Sequence, residues 1–456
     1  MPLADLSTSS RKLPAPERLF VLVALMVSGT VTLPQVVEVG FMSGLGLWTL
    51  AAAGLSWGLW LMKPSAPRAI LPAAVPLVAF AGFAAFTPLW GDRSGVEWIQ
   101  LLAVTAALPG FLLLTAREAA ARPGFGDAVL RALDFAAVTA AVGYTLTVLA
   151  LGPGGDAEFG GRPVFLARPF ALFAIVAVAR QLGRYHAGDR GGMVVAAWLA
   201  ALVFLSESRL GMVAVLAMFP ASYALVGGRR NRVTAAVMVA AGAAGMTLLL
   251  TLSDAMYQRF FGYDASLEVG GVAINASGRT AAWTALLADI RTQIQLWFGS
   301  GAGAGSAFVT AHFANLPHPH NDYIRYLYDF GLFGLLWFLA FGLAAVAMLW
   351  RRLRAACRAA ASGDPAARAA VGLPLGTLLA VAGVAASMVT DNPANYIYVM
   401  APLGVLLGAA LCRPFAQPEP DVGWVFAADD APRPTDDSTP KGRAARNRAM
   451  VPHRAA

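Results

Sequence analysis

Residues 331–350 read GLFGLLWFLAFGLAAVAMLW, twenty consecutive residues without a charged side chain. A helix of roughly 20 apolar residues is long enough to cross the hydrocarbon core of a lipid bilayer. This stretch is therefore predicted to be a transmembrane helix. A basic segment that begins at Arg351 follows it directly, which predicts that this end of the helix faces the cytoplasm.

Similar apolar segments recur along the whole chain. Of its 456 residues, 58% are hydrophobic and 13% are charged, a composition typical of membrane proteins. The predicted fold class is an all-α polytopic membrane protein with about 12 transmembrane helices. The apolar segments begin near Leu19, Phe41, Ile70, Ile99, Phe135, Phe165, Met193, Gly211, Val233, Gly331, Ala370 and Asn395.

The first apolar run follows a basic stretch that contains Arg11, Lys12 and Arg18, as in a signal peptide. Because further apolar segments follow it in place of a soluble domain, we interpret the run as a retained first helix. The two cysteines, Cys357 and Cys412, fall at predicted cytoplasmic helix ends, which disfavours both a disulfide framework and a cysteine metal cluster.

The distribution of positive charge provides a test of this topology. With the N-terminus in the cytoplasm, 26 of the 34 Lys and Arg residues fall in cytoplasmic segments, as the positive-inside rule requires. The net charge of +8 therefore follows the topology and does not indicate a nucleic-acid partner. The exceptions on the other side of the membrane are Arg93, Arg162, Arg168, Arg209, Arg259, Arg279, Arg291 and Arg325.

The chain divides into four predicted regions. Residues 1–252 hold the first nine transmembrane helices, 253–330 form a large loop, 331–412 hold the last three helices, and 413–456 form a disordered cytoplasmic tail. The loop is rich in aromatic residues, in which disordered segments are poor, so we expect it to fold into a small cap on the non-cytoplasmic face.

Arg279 in this loop is a candidate anion-binding residue. It precedes a segment in which Trp283, Leu287 and Ile290 recur at helical spacing, so an amphipathic helix is predicted to start near Arg279. A helix N-terminus and a guanidinium both attract phosphate. The alternative is a surface arginine without a ligand. The alternate glycines of residues 299–305 favour a flexible turn over a phosphate loop.

His320 is the candidate catalytic residue. It opens a segment that leads into the span at Gly331, and the positive end of a helix dipole there would keep its imidazole neutral and available as a base. The alternative is a structural or metal-binding role, since His312, His318 and His320 lie close in sequence.

Arg209 lies where the seventh predicted span leaves the membrane and the eighth re-enters it. A charge at that boundary is a functional candidate unless a neighbour neutralises it, and Glu207 is such a neighbour. Arg162 and Arg168 flank a similar position before the sixth span.

Together, three motifs in their order and spacing resemble the O-antigen ligase and O-antigen polymerase superfamily of membrane glycosyltransferases. Residues 206–211 (SESRLG) look like its Ser-x-x-Arg-Gly element, and residues 277–303, with Ser277-Gly278-Arg279 and Trp283, look like its Gly-Arg…Trp…Gly-x-Gly-x-Gly stretch. Residues 320–331, with His320-Asn321, resemble its His-Asn/Ser-x-x-Leu…Glu-x-Gly motif. The departures are Asp329 in place of Glu, Ile324 in place of Leu, the inserted Leu210 and the additional His318.

The resemblance implies an O-antigen ligase with a GT-C-like fold in the bacterial inner membrane. Its donor would be a glycan on undecaprenyl diphosphate, its acceptor a sugar hydroxyl of lipid A-core, and its active site would face the periplasm. We expect metal-independent, inverting transfer without a cofactor, with His320 as the base and with Arg209 and Arg279 holding the diphosphate. Asp329 would either orient His320 or cap a helix turn.

The same resemblance leaves two other enzymes open, an O-antigen polymerase and a protein O-oligosaccharyltransferase, since all three share the donor. A transporter of lipid-linked glycan is an alternative from a different class. It would be expected to show interrupted helices and ionisable residues at mid-membrane depth, and the sequence favours neither feature.

Overall fold

The computed structural model describes residues 16–30, 38–39, 42–91, 96–122, 124–154, 157–159, 162–261, 267–269, 272–274, 279–313, 316, 318–361 and 363–412. The motif residues Ser277 and Gly278 and the predicted tail 413–456 lie outside this part of the chain. The described residues form an all-α polytopic membrane protein, as predicted.

The helices, in chain order, are α1 (Pro16–Gly29), α2 (Gly44–Leu61), α3 (Leu71–Phe86), α4 (Val96–Ala121), α5 (Phe125–Leu151), α6 (Ala167–Ala187), α7 (Arg190–Leu205), α8 (Arg209–Val226), α9 (Arg229–Leu252), α10 (Asp254–Phe261), α11 (Arg279–Ala288), α12 (Gln293–Phe298), α13 (Ala304–His312), α14 (Asp322–Ala360), α15 (Pro365–Ala369), α16 (Gly372–Ser387) and α17 (Ile397–Cys412). Short 3-10 turns cover Arg68–Ile70, Thr87–Leu89 and Pro393–Asn395.

Each of the twelve apolar segments named from the sequence overlaps one of these helices. By length and composition, eight helical stretches of the described residues can cross a membrane, those of α2, α3, α4, α5, α8, α9, α14 and α15–α16, and α7 and α17 are shorter apolar helices. Helix α6 lies outside this set and carries three arginines, at positions 168, 180 and 184. Two of them, Arg180 and Arg184, are buried beside Asp134 at 3.1 and 3.6 Å, where the carboxylate compensates their charge.

The core is formed by helix pairs in close contact. Helix α6 is buried along nearly its whole length and packs on α7 and α16, while α17 packs on α4. At Gly404 and Gly408 of α17, an added Cβ would meet carbonyl oxygens of α4 at 2.8 and 2.6 Å, so these two positions require glycine. Helix α9 is mostly exposed, as expected of a helix that faces lipid.

Three antiparallel hairpins, not predicted from the sequence, occur in loops. They pair β1 (Glu38–Val39) with β2 (Met42–Ser43), β3 (Ala157–Phe159) with β4 (Arg162–Phe165), and β5 (Leu267–Val269) with β6 (Val272–Ile274). These strands have two to four residues each, too short to show a hydrophobic alternation in the sequence.

The connection between α9 and α14 contains helices α10 to α13. Helix α14 begins at Asp322, within the predicted loop 253–330, and is kinked at Gly331, whose φ of 65° and ψ of −173° interrupt the helix. An added Cβ on Gly331 would lie 2.4 Å from the carbonyl carbon of Trp297, so glycine allows α12 to approach the kink. The kink separates a first helical part, residues 322–330, from the long apolar part that follows.

Candidate functional site

His320 lies just outside the N-terminus of α14. Asn321 is the N-cap, and its side-chain oxygen accepts a hydrogen bond from the Ile324 amide at 3.0 Å. His320 has a φ of 52°, in the left-handed region that is unfavourable for a residue with a Cβ. The preceding residue, Pro319, is also fixed, because Trp283 Nε1 donates to its carbonyl oxygen at 2.6 Å.

The His320 ring contacts two side chains from distant parts of the chain. Its Nδ1 lies 2.7 Å from Arg168 Nη2 and 2.9 Å from Asn392 Oδ1. Arg168 is in turn ion-paired with Asp391: Arg168 Nε lies 3.1 Å from each carboxylate oxygen, and Nη2 also contacts Oδ1. The first turn of α6 and the loop between α16 and α17 therefore meet at the histidine.

These two contacts require different tautomers of His320. Arginine can only donate, so the contact with Arg168 needs a lone pair on Nδ1, whereas the contact with Asn392 Oδ1 needs a proton there. Only in the second tautomer is Nε2 unprotonated and able to accept a proton. Whichever group engages Nδ1 therefore decides whether Nε2 can act as a base.

The surroundings of His320 favour its neutral form. Burial, followed by the positive charges of Arg168 and Arg279, lowers the pKa of His320 to about 3, although Asp391 acts in the opposite direction. Burial together with Arg168 and Arg209 also lowers the pKa of Arg279 to about 10, which leaves that guanidinium charged at neutral pH. The imidazole is thus a neutral group among fixed cations.

Arg168, Arg209 and Arg279 line one cavity of about 560 Å³. They lie in the first turns of three helices, α6, α8 and α11, whose positive ends add to the guanidinium charges. Arg279 Nη1 donates to the Thr390 carbonyl at 2.7 Å. Asp391 and Glu207 also line the cavity, so three guanidinium groups face two carboxylates and the lining is net positive. The cavity is suited to an anion.

Asp329 binds the glycine-rich turn predicted for residues 299–305. Its carboxylate accepts hydrogen bonds from the amides of Gly303 at 3.1 Å and Gly305 at 2.7 Å, at the N-terminus of α13. Of the two roles considered for Asp329, these contacts favour the capping role, and Arg168 and Asn392 are the side chains found at the His320 ring. An added Cβ on Gly299 would meet the Asp329 carbonyl oxygen at 2.3 Å, so the glycine permits a close approach.

We expect Asp329→Ala to lower the free energy of unfolding by about 1 kcal/mol, as loss of a helix cap does. The buried carboxylate accepts hydrogen bonds from two backbone amides, and alanine has no side-chain acceptor to replace it. Thermal unfolding of the purified protein in detergent measures the effect. Asp254→Ala, which removes an exposed carboxylate at the start of α10, is the control; an equal shift in both variants would contradict the capping role.

The remaining candidates lie at the edge of the site or outside it. His318 Nδ1 is 3.3 Å from Ser306 Oγ and its ring centre 6.3 Å from that of His320; burial and the charges of Arg325 and Arg168 lower its pKa to about 4. Arg162 is the first residue of β4, and its side chain lies outside the described part of the chain. Within the described residues, no three His, Cys, Asp or Glu side chains are grouped as metal ligands.

Asp391 and Asn392 are the site residues that the sequence analysis missed. They lie between two apolar helices, α16 and α17, in the segment Thr390-Asp391-Asn392-Pro393. An acidic residue at the end of a membrane helix, followed by an Asn-Pro turn, is a signal that could have found them.

Fold and site define a polytopic membrane protein with a cavity of net positive charge beside a neutral histidine. Residues 194–339, about a third of the chain, match the family model described as O-antigen ligase. The matched segment includes Arg209, Arg279 and His320, while Arg168 and Asp391 lie outside it. No curated protein matches the chain. The match is consistent with a member of the O-antigen ligase and polymerase family and supports a glycosyltransferase of that type.

Proposed function

We propose that the protein is an O-antigen ligase that transfers a polysaccharide from undecaprenyl diphosphate to a sugar hydroxyl of lipid A-core. The observation that carries the proposal is the convergence of three arginines, each in the first turn of a helix, on one cavity beside His320. The family match to residues 194–339 supports the class of reaction. The apolar helices and the charge distribution support an inner-membrane location, with the site on the periplasmic face and both termini in the cytoplasm.

In this proposal Arg209 and Arg279 bind the diphosphate of the donor. A guanidinium matches the geometry of phosphate oxygens with two parallel hydrogen bonds, and its charge stabilises the negative charge that develops on the leaving diphosphate. The donor is already activated by its diphosphate linkage, so the reaction needs no nucleotide. No cofactor is included in the proposed reaction.

His320 acts as the general base. Its Nε2 takes the proton of the acceptor hydroxyl while the hydroxyl oxygen attacks the anomeric carbon of the donor glycan. The new glycosidic bond forms on the face opposite the breaking bond to phosphate oxygen, so the configuration inverts. Undecaprenyl diphosphate leaves with the electron pair, and its charge is held by the arginines.

Arg168 connects donor binding to the base. Its guanidinium contacts Nδ1 of His320, which corresponds to the tautomer with a protonated Nε2. A diphosphate in the cavity competes for Arg168, which also lines that cavity. When Arg168 turns to the phosphate, Nδ1 donates to Asn392 Oδ1 and Nε2 becomes the acceptor. Occupation of the donor site would thus produce the reactive tautomer.

We expect Arg279→Gln to raise the KM for the lipid-linked donor by about 10-fold to 100-fold, the loss that corresponds to a hydrogen bond to a charged group. Arg279 lines the cavity, and glutamine keeps a donor while removing the charge. The assay uses purified protein, lipid-linked donor and lipid A-core. Arg291→Gln is the matched control, since Arg291 lies between α11 and α12 and its side chain is 79% exposed. Equal KM values for both variants would contradict the assignment.

A gene-deletion experiment separates ligase from polymerase. Loss of a ligase leaves lipid-linked polymer in the membrane and lipopolysaccharide that ends at the core. Loss of a polymerase leaves single repeats attached to the core. The second result would overturn the ligase assignment in favour of the polymerase, which uses the same donor chemistry.

A further inference from the structure

Two charged side chains are buried behind His320 and take no part in the proposed reaction. Asp322 is the first residue of α14 and Arg325 follows one turn later; both are at most 1% exposed. Arg325 Nη2 lies 2.9 Å from Asp322 Oδ1, and the guanidinium carbon is 4.9 Å from the centre of the Tyr326 ring. Removing two charges from water is costly, so such a pair requires a structural or functional reason.

Asp322 joins α14 to the loop between α16 and α17 at two points. Its amide donates to the Met388 carbonyl at 2.8 Å, and its Oδ2 accepts from the Ala394 amide at 3.0 Å. These two bonds lie on either side of Asp391 and Asn392. Asp322 therefore holds the loop on both sides of the two residues that contact Arg168 and His320.

The two bracketed residues are also fixed relative to each other. The Asn392 amide donates to Asp391 Oδ1 at 2.8 Å. Contacts thus run from Arg325 through Asp322 to Ala394, which follows Asn392 by two residues in the chain, and the Asn392 side chain meets His320 Nδ1 at 2.9 Å. Because His320 itself precedes Asp322 by only two residues, one pair of charges anchors both partners of that last contact.

We propose that the buried Asp322–Arg325 pair is a positioning device that holds Asp391 and Asn392 in register with Arg168 and His320. This inference rests on the proposed function for its catalytic consequence. A charged carboxylate binds the Ala394 amide more strongly than a neutral group does, and the positive charge of Arg325 beside it favours the charged form. A displacement of about 1 Å at a reacting centre can cost about 10²-fold in rate.

The test compares Asp322→Asn in the full-length protein with the wild type. Asparagine has the same shape but cannot pair with Arg325. We expect kcat of glycan transfer to fall by about 10-fold to 100-fold, as for loss of a residue that orients a catalytic group, with a smaller change in the donor KM. Arg325→Lys, which keeps the positive charge, is expected to retain more activity than Arg325→Met.

Asp134→Asn is the matched control. Asp134 of α5 forms a similarly buried pair with Arg180 of α6 at 3.1 Å. Arg180 lies roughly 18 Å along α6 from Arg168, at a rise of about 1.5 Å per residue. Both Asp→Asn variants remove a buried charge pair, and both are expected to lower the unfolding temperature. Only Asp322→Asn is expected to lower kcat; an equal kcat loss in both variants, or none in Asp322→Asn, would show a purely structural pair.

A second measurement does not depend on transfer activity. His320 is 4% exposed, so a histidine-modifying reagent such as diethylpyrocarbonate should label it slowly, as read by mass spectrometry. A displaced loop exposes the ring, so we expect faster labelling in Asp322→Asn and wild-type labelling in Asp134→Asn. Unchanged labelling in Asp322→Asn overturns the positioning role. Absence of transfer by the wild type, with labelling as expected, overturns the proposed function instead.

Discussion

Replacing His320 with alanine is expected to lower kcat of glycan transfer by about 10²-fold to 10⁴-fold, the range contributed by a positioned general base. The ring is buried and held at Nδ1 by Arg168 and Asn392, which fixes its orientation. Its lowered pKa, about 3, ensures that it is neutral at neutral pH. Transfer is measured with purified protein, lipid-linked donor and lipid A-core, in the presence of a chelator.

His312→Ala is the control for this variant. His312 is exposed at the end of α13, where its Nδ1 lies 2.8 Å from the Phe308 carbonyl. We expect it to transfer at the wild-type rate. Full activity of His320→Ala would eliminate the base role. Activity that a chelator abolishes and zinc restores would assign the histidines to a metal site instead.

The helical fold was predictable because each span is a long apolar segment. The twelve named segments overlap helices, since a length near 20 residues and the absence of charge are both visible in one sequence. Helix α6 shows the limit of that reasoning. It keeps Arg180 and Arg184 buried because Asp134, about fifty residues earlier, compensates them, and such a partner is not visible from the segment itself.

The positions that line the candidate site were predictable where they belong to local motifs. Arg209, Arg279 and His320 stand at helix starts that composition and spacing indicate, and the structure places the two arginines in one cavity and His320 beside Arg168. Asp391 and Asn392 were missed because their contacts join positions 223 and 72 residues apart. Neither residue lies in a local sequence pattern that indicates its contact partner.

Asp329 illustrates a choice that only the structure could make. Its spacing from His320 fitted either an orienting role or a capping role. The carboxylate accepts hydrogen bonds from Gly303 and Gly305, which precede it by more than twenty residues. The local sequence is compatible with both roles, so only the three-dimensional contacts distinguish them.

Arg168→Gln is expected to lower kcat by about 10²-fold to 10³-fold, the loss typical of one group that stabilises developing charge. Arg168 lines the cavity, pairs with Asp391 and contacts His320, so its removal affects the donor site and the base together. Arg168→Lys should retain part of the activity, because lysine keeps the charge but cannot form two parallel hydrogen bonds with a phosphate or carboxylate.

The same variant should also change the pH dependence of transfer. Burial is the largest cause of the lowered His320 pKa, and the charge of Arg168 comes next, ahead of that of Arg279. Removing Arg168 therefore raises this pKa from about 3 towards the ordinary value for histidine. The base works only when it is neutral, so kcat/KM, which reports the free enzyme, should begin to fall at a higher pH on the acid side than in the wild type.

His318→Ala is the control for this pH dependence. It removes the neighbouring histidine and leaves the Arg168 contact, so the acid limb of its pH profile should match that of the wild type. An acid limb of Arg168→Gln that coincides with the wild-type limb would show that Arg168 does not act on His320, and would remove the link between donor binding and the base.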